Sequence, residues 1–68
     1  METKKLKDLK NGEFFTLKDY GDNPDEKKVY VRGNFERSEK KYSVTKFSDA
    51  FAERFLSGEK VVFVGFTF

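Results

Sequence analysis

The chain of 68 residues has no cysteine, no histidine and no tryptophan. Without cysteine there can be no disulfide. Without thiolate or imidazole, almost every zinc, copper or iron site is excluded as well. The commonest acid–base and nucleophilic groups are missing for the same reason. No cofactor is expected, and the expectation is a non-catalytic domain. Paired carboxylates such as Asp22 with Asp25 or Glu26 fall in a polar loop, where ordinary ionised side chains are expected.

Long apolar runs are also missing. The longest is Val61 to Val64, against the roughly 20 residues that a spanning helix needs. The opening segment, Met1-Glu2-Thr3-Lys4-Lys5-Leu6-Lys7-Asp8, has no apolar stretch of the kind a secretion signal carries. The expectation is a cytoplasmic chain with no membrane partner. Glycine-rich phosphate motifs of the G-x-G-x-x-G or G-x-x-x-x-G-K type are absent, so nucleotide binding has no support. Asp19, Asp22, Asp25 and Glu26 could offer oxygen ligands to calcium. Their spacing is not the alternating ladder that wraps a hard cation, so a solvated loop is the reading.

What the chain does have is phenylalanine. Nine Phe and three Tyr make 18 % of it aromatic. Each such ring buries roughly 150–250 Å² in a core. A chain this short buries only about 60 % of its unfolded surface. A dense aromatic core or oligomerisation is then the remaining source of stability.

Residues 1–68 read as one small β-rich domain. Asn11-Gly12 is a turn dipeptide, and a strand is expected over about 13–18, with Phe15 inward and Phe14 outward. Residues 19–28 form a loop around Asn23-Pro24. Residues 29–36 alternate, which predicts a strand with Val29, Val31, Gly33 and Phe35 inward and Tyr30, Arg32, Asn34 and Glu36 outward. Gly33 marks a bend or bulge. After the polar turn Arg37-Ser38-Glu39-Lys40, a second strand runs from Lys41 to Phe47, completing a hairpin. From Ser48 to Ser57 the period changes. Phe51, Ala52, Phe55 and Leu56 fall on one helical stripe behind a Ser48 cap, which predicts a short helix. Residues 60–68 form a last strand that is apolar on both faces, as expected of a covered, central strand. The fold expected is mostly β, a small antiparallel barrel or curled sheet of four to five strands with one short helix before the last strand.

Several segments, Leu9-Lys10-Asn11-Gly12-Glu13-Phe14-Phe15, Val29-Tyr30-Val31-Arg32-Gly33, Lys41-Tyr42 and Val61-Val62-Phe63-Val64-Gly65-Phe66, resemble a group of very short, mostly uncharacterised proteins from bacteria, phages and mobile elements. The order of elements is also similar to that of SH3-like small β-barrels, with a Leu-x-x-Gly-x-x-Phe opening. The expected helix over 48–57 is longer than the single 3₁₀ turn usual there. The resemblance implies a fold plan and carries no activity or site residue.

Net charge is +2, but it is unevenly spread. Residues 11–26 carry Lys18 against five acids, and residues 27–46 carry seven basic residues against Glu36 and Glu39. Two partner classes follow. One is single-stranded nucleic acid on a basic hairpin face of Tyr30, Arg32, Arg37, Lys40, Lys41, Ser43 and Thr45, where charges would track phosphates and the ring would stack on a base. The other, favoured, is a protein-interaction or assembly module. Its interface would use Phe14, Phe66 and Phe68, because apolar strands invite pairing with other chains.

Overall fold

The computed structural model describes residues 2–66. They form a six-stranded antiparallel sheet and two short 3₁₀ turns, so the domain is mostly β. The strands are β1 (Glu2–Lys5), β2 (Phe14–Thr16), β3 (Val29–Glu36), β4 (Lys41–Lys46), β5 (Asp49–Leu56) and β6 (Val61–Val64), with the 3₁₀ turns at Leu6–Asp8 and Glu26–Lys28. Their order across the sheet is β1-β6-β2-β3-β4-β5. The two ends, β1 and β5, do not pair with each other, so the sheet is open rather than closed into a barrel. Among the described residues no helix is long and apolar enough to cross a membrane.

The expected helix over 48–57 is replaced by β5. Its eight residues mix polar and apolar on both strand faces, so tertiary pairing rather than local pattern sets the strand. A helix of two to three turns is marginal by itself, and aromatic residues favour strands. The free side of β4 supplies backbone partners: Tyr42 faces Leu56, Ser43 faces Phe55, Val44 faces Arg54 and Thr45 faces Glu53. Asp49 does not cap a helix; its carboxylate accepts from the Phe51 N–H at 3.1 Å. The strand β1 adds a sixth member that polar Glu2-Thr3-Lys4-Lys5 gives no apolar pattern to detect. It pairs with β6 along its length. The last strand is interior, between β1 and β2, but it is shorter than the expected 60–68 and is not fully covered on both faces: β6 ends at Val64, with Val62 and Val64 buried and Val61 52 % exposed.

The core is Leu6, Leu9, Phe15, Tyr30, Val44, Val62 and Val64, with Leu17, Tyr42 and Leu56 packed against it. Phe15 is fully buried and stacks on Tyr30, ring centroids 5.8 Å apart. The phase expected for the first part of β3 is therefore reversed. Tyr30 faces inward, because its register partner is Phe15. Arg32 follows it onto the same face as Val44. The alternation is then reset at Gly33-Asn34. Arg32 pairs with Val44 and Phe35 with Tyr42, so β3 advances three residues while β4 advances two. This bulge brings Phe35 back to the face of Arg32 and Tyr42. Val29 is buried as well, on the opposite face, beside its partner Thr16.

Gly12 and Gly33 have backbone roles. Gly12 has φ +91° and donates to the Arg32 carbonyl at 2.8 Å, extending the β2–β3 ladder to the bulge. At Gly33 an added Cβ would lie 2.8 Å from the Ser43 carbonyl oxygen.

The turn between β5 and β6 carries the ion pairs. Glu59 takes Lys7 at 2.8 Å and Lys5 at 2.9 Å. The hydrogen bond from Lys7, reinforced by Lys5, lowers its carboxyl from 4.5 to about 2. These groups are exposed, so salt screens them.

Two predictions follow from this architecture. Gly33→Ala forces backbone apart at the bulge and is expected to destabilise the domain by about 1–3 kcal/mol, measured by urea denaturation. For Glu59, the folded-state pKa lies below the unfolded one, so its stabilisation is present above about pH 4.5 and disappears as pH falls toward 2. Glu59→Gln should therefore melt slightly lower than the parent at neutral pH. Melting curves of the two should converge as pH approaches 2.

Candidate functional site

The seven residues expected to form one basic face do not do so. Tyr30 is 8 % exposed and belongs to the core, so its ring is no open stacking platform. Arg32 is half-buried, with its guanidinium 4.3 Å from the centre of the Tyr42 ring, and its Nε is enclosed without a hydrogen-bond partner. Ser43 and Thr45 lie on the other face of the hairpin from Tyr30 and Arg32, since they alternate with Tyr42 and Val44 along β4. Ser43 donates to Glu53 at 2.6 Å. Arg37, Lys40 and Lys41 are exposed at the far tip of the hairpin. The reversed phase of β3 is what splits the set.

A different cationic cluster forms on the core side of the sheet. A partly open cavity of about 150 Å³ is lined by Leu17, Lys18, Tyr20, Lys27, Lys28, Tyr30 and Lys46. Tyr30 and Lys46 are register partners on β3 and β4, which aims both at the same side. Lys18 follows β2, and its carbonyl accepts from the Thr16 hydroxyl at 2.7 Å. The 3₁₀ turn Glu26–Lys28 presents the other two lysines. Its cap is Asp25, whose carboxylate accepts from the Lys27 N–H at 2.9 Å. Asp19 is likewise turned onto the loop backbone, accepting from Gly21 N–H at 3.0 Å. No carboxylate lines the cavity, and the ion pairs among the described residues involve only Glu59 with Lys5 and Lys7. The Lys28 ammonium lies 5.9 Å from the centre of the Tyr20 ring, and Tyr20 is 40 % exposed.

Sequence reasoning placed Lys27, Lys28 and Lys46 within a basic block but did not bring them together with Lys18 and Tyr20. Those two come from an acidic segment, and only the path of the loop joins them. No three acidic, histidine or cysteine side chains among the described residues are grouped to hold a metal ion.

The opposite face of the sheet carries exposed phenylalanines. Phe14 and Phe47 meet edge to face at 5.6 Å and are 39 % and 45 % exposed. Phe55 is 41 % exposed and Phe51 is 98 % exposed. Phe51 owes this to a break in the β4–β5 register. Thr45 pairs with Glu53 while Lys46 pairs with Asp49, so residues 50–52 of β5 bulge away from β4. Of the interface residues expected from the sequence, Phe14 is on this surface, Phe66 is half-buried after β6, and Phe68 lies outside the described residues. The β6 backbone is already paired on both sides, so the last strand offers no free edge.

Arg32 gives a test of the core-side geometry. Arg32→Met keeps the apolar stem while removing both the ring contact and the enclosed Nε. The lost cation–π contact, about 0.5–2 kcal/mol, opposes the relief of an unpaired buried donor, about 1–3 kcal/mol. Urea denaturation is expected to show a net change within about 1 kcal/mol. No family model, no curated protein and no solved structure matches the chain.

Proposed function

We propose that the protein is a non-catalytic binding module of the cytoplasm that works by assembly, two copies associating through the phenylalanine face of β5. The observation that carries this reading is Phe51, a large apolar side chain 98 % exposed on a strand at the sheet's edge. Phe47, Phe55 and Phe14 extend the apolar surface around it. Grouped exposed apolar side chains of this kind mark interaction sites rather than ordinary surface.

A second copy is the occupant because the chain has no other staple. It lacks cysteine and histidine, and small domains without disulfide or metal gain stability by oligomerising. An isologous pair buries the same patch on each subunit. Side-chain docking fits better than strand addition. β1 presents Lys4 and Lys5 at one edge, and residues 50–52 bulge at the other; charges and bulges both disfavour edge pairing.

Sedimentation velocity from micromolar to millimolar protein should show a concentration-dependent dimer. Phe51→Ala should weaken it on the order of thirtyfold, the loss of a hot-spot contact worth about 2 kcal/mol, with thermal unfolding of the monomer unchanged. A parent chain that stays monomeric to millimolar concentration would overturn the reading.

A further inference from the structure

We propose that the cavity between the β2–β3 loop and the end of β4 binds single-stranded nucleic acid, seating one backbone phosphate among Lys18, Lys27, Lys28 and Lys46 with a base stacked on Tyr20. The site shares no residue with the phenylalanine face, so it stands or falls independently of the assembly reading.

Four lysines line one cavity that no carboxylate lines. Asp19 and Asp25 each turn one carboxylate oxygen onto a backbone N–H of the loop, and neither lines the cavity. Like charges on the wall of one cavity repel one another, and an anion seated between them relieves that repulsion. Low-dielectric walls such as Leu17 and Tyr30 focus the resulting field outward.

Size selects the anion. A cavity of about 150 Å³ is well below the roughly 300–1,000 Å³ of pockets that enclose a drug-sized ligand. It suits one phosphate group rather than a whole nucleotide. The remainder of the ligand must lie outside, along the rim. Tyr20 is on that rim, 40 % exposed, with Lys28 near its ring. An aromatic ring beside cations that track phosphates is the arrangement by which proteins hold single strands. Tyr30 has another part: buried against Phe15, it forms the floor and receives a contact from Arg54 Nη1 to its hydroxyl at 3.4 Å.

The local structure holds the backbone that bears the lysines in place without ligand. Thr16 fixes the Lys18 carbonyl and Asp25 caps the turn that bears Lys27 and Lys28. Pro24 is buried beneath the loop, and Lys46 is fixed by strand pairing with Tyr30. A preformed site loses less on binding than one that must be ordered.

The test is an amide NMR titration of the full chain with a short oligothymidylate, with inorganic phosphate and with dextran sulfate. Oligothymidylate is expected to shift the amides of Lys18, Tyr20, Lys27, Lys28 and Lys46. Its log affinity should fall with log salt at a slope of about −0.7 to −1, as for one seated phosphate on a single strand. Lys27→Glu and Lys46→Glu should each weaken it roughly tenfold. Lys41→Glu, the same charge change at the hairpin tip, should leave it within about threefold, since exposed charges are screened beyond about 8 Å. Tyr20→Leu should weaken oligothymidylate but not inorganic phosphate. Melting temperature serves as the check on folding for each variant. Absence of shifts with oligothymidylate would overturn the proposal. So would shifts centred on Arg37, Lys40 and Lys41, or dextran sulfate binding as tightly as oligothymidylate with no effect of Tyr20→Leu.

Discussion

Between Leu56 and Val61 the chain has four residues in which to leave β5, at one edge of the sheet, and enter β6, four strand positions away. In a flat sheet those positions would be about 19 Å apart. The four residues also fold back on themselves, with Lys60 N–H donating to the Ser57 carbonyl at 3.1 Å. A turn of that kind spans less than about 7 Å. The sheet must therefore curl until the end of β5 lies beside the start of β6. Two things follow from that curl: a concave core face that Phe15, Tyr30 and the buried leucines and valines fill, and a convex outer face.

The 3₁₀ turn Leu6–Asp8 covers the place where the curl stops short of closing. Leu6 N–H donates to Lys60 and Lys7 N–H to Gly58, so the turn is tied to the β5–β6 connection by backbone. Leu6 and Leu9 go beneath it, both buried. The Glu59 ion pairs with Lys5 and Lys7 lie over the same junction. They are exposed and contribute less than the two leucines. β1 and β5 stay apart, and their edges are blunted by charge on one and by a register break on the other.

The curl also sorts the two surfaces that could meet partners. On the concave side, inward aromatic rings close the floor of a cavity whose rim is cationic. On the convex side, phenylalanines that the core has no room for are left at the surface. The two differ in chemistry and share no side chain, so occupation of one does not exclude occupation of the other.

Much of this was legible from residue types and spacing. The absence of cysteine and histidine removed disulfides and most metals. Alternation located β3 and β4, a continuous apolar run located β6, Asn11-Gly12 located a turn, and Gly33 located the bulge. Local pattern failed where tertiary pairing outweighed it. Asp49–Leu56 carries a helix stripe and no strand alternation, yet the unpaired side of β4 draws it into the sheet. It failed again where both residues of an alternating pair are apolar or aromatic. Val29 and Tyr30 could each face inward, and pairing of Tyr30 with Phe15 set the phase. That choice dispersed the expected basic face. The convergence of Lys18, Tyr20, Lys27, Lys28 and Lys46 depends on a loop path between strands. The sequence by itself determined which elements and chemistries were available; the tertiary structure decided which side chains share a face, because register and curl are properties of paired strands and not of any one segment.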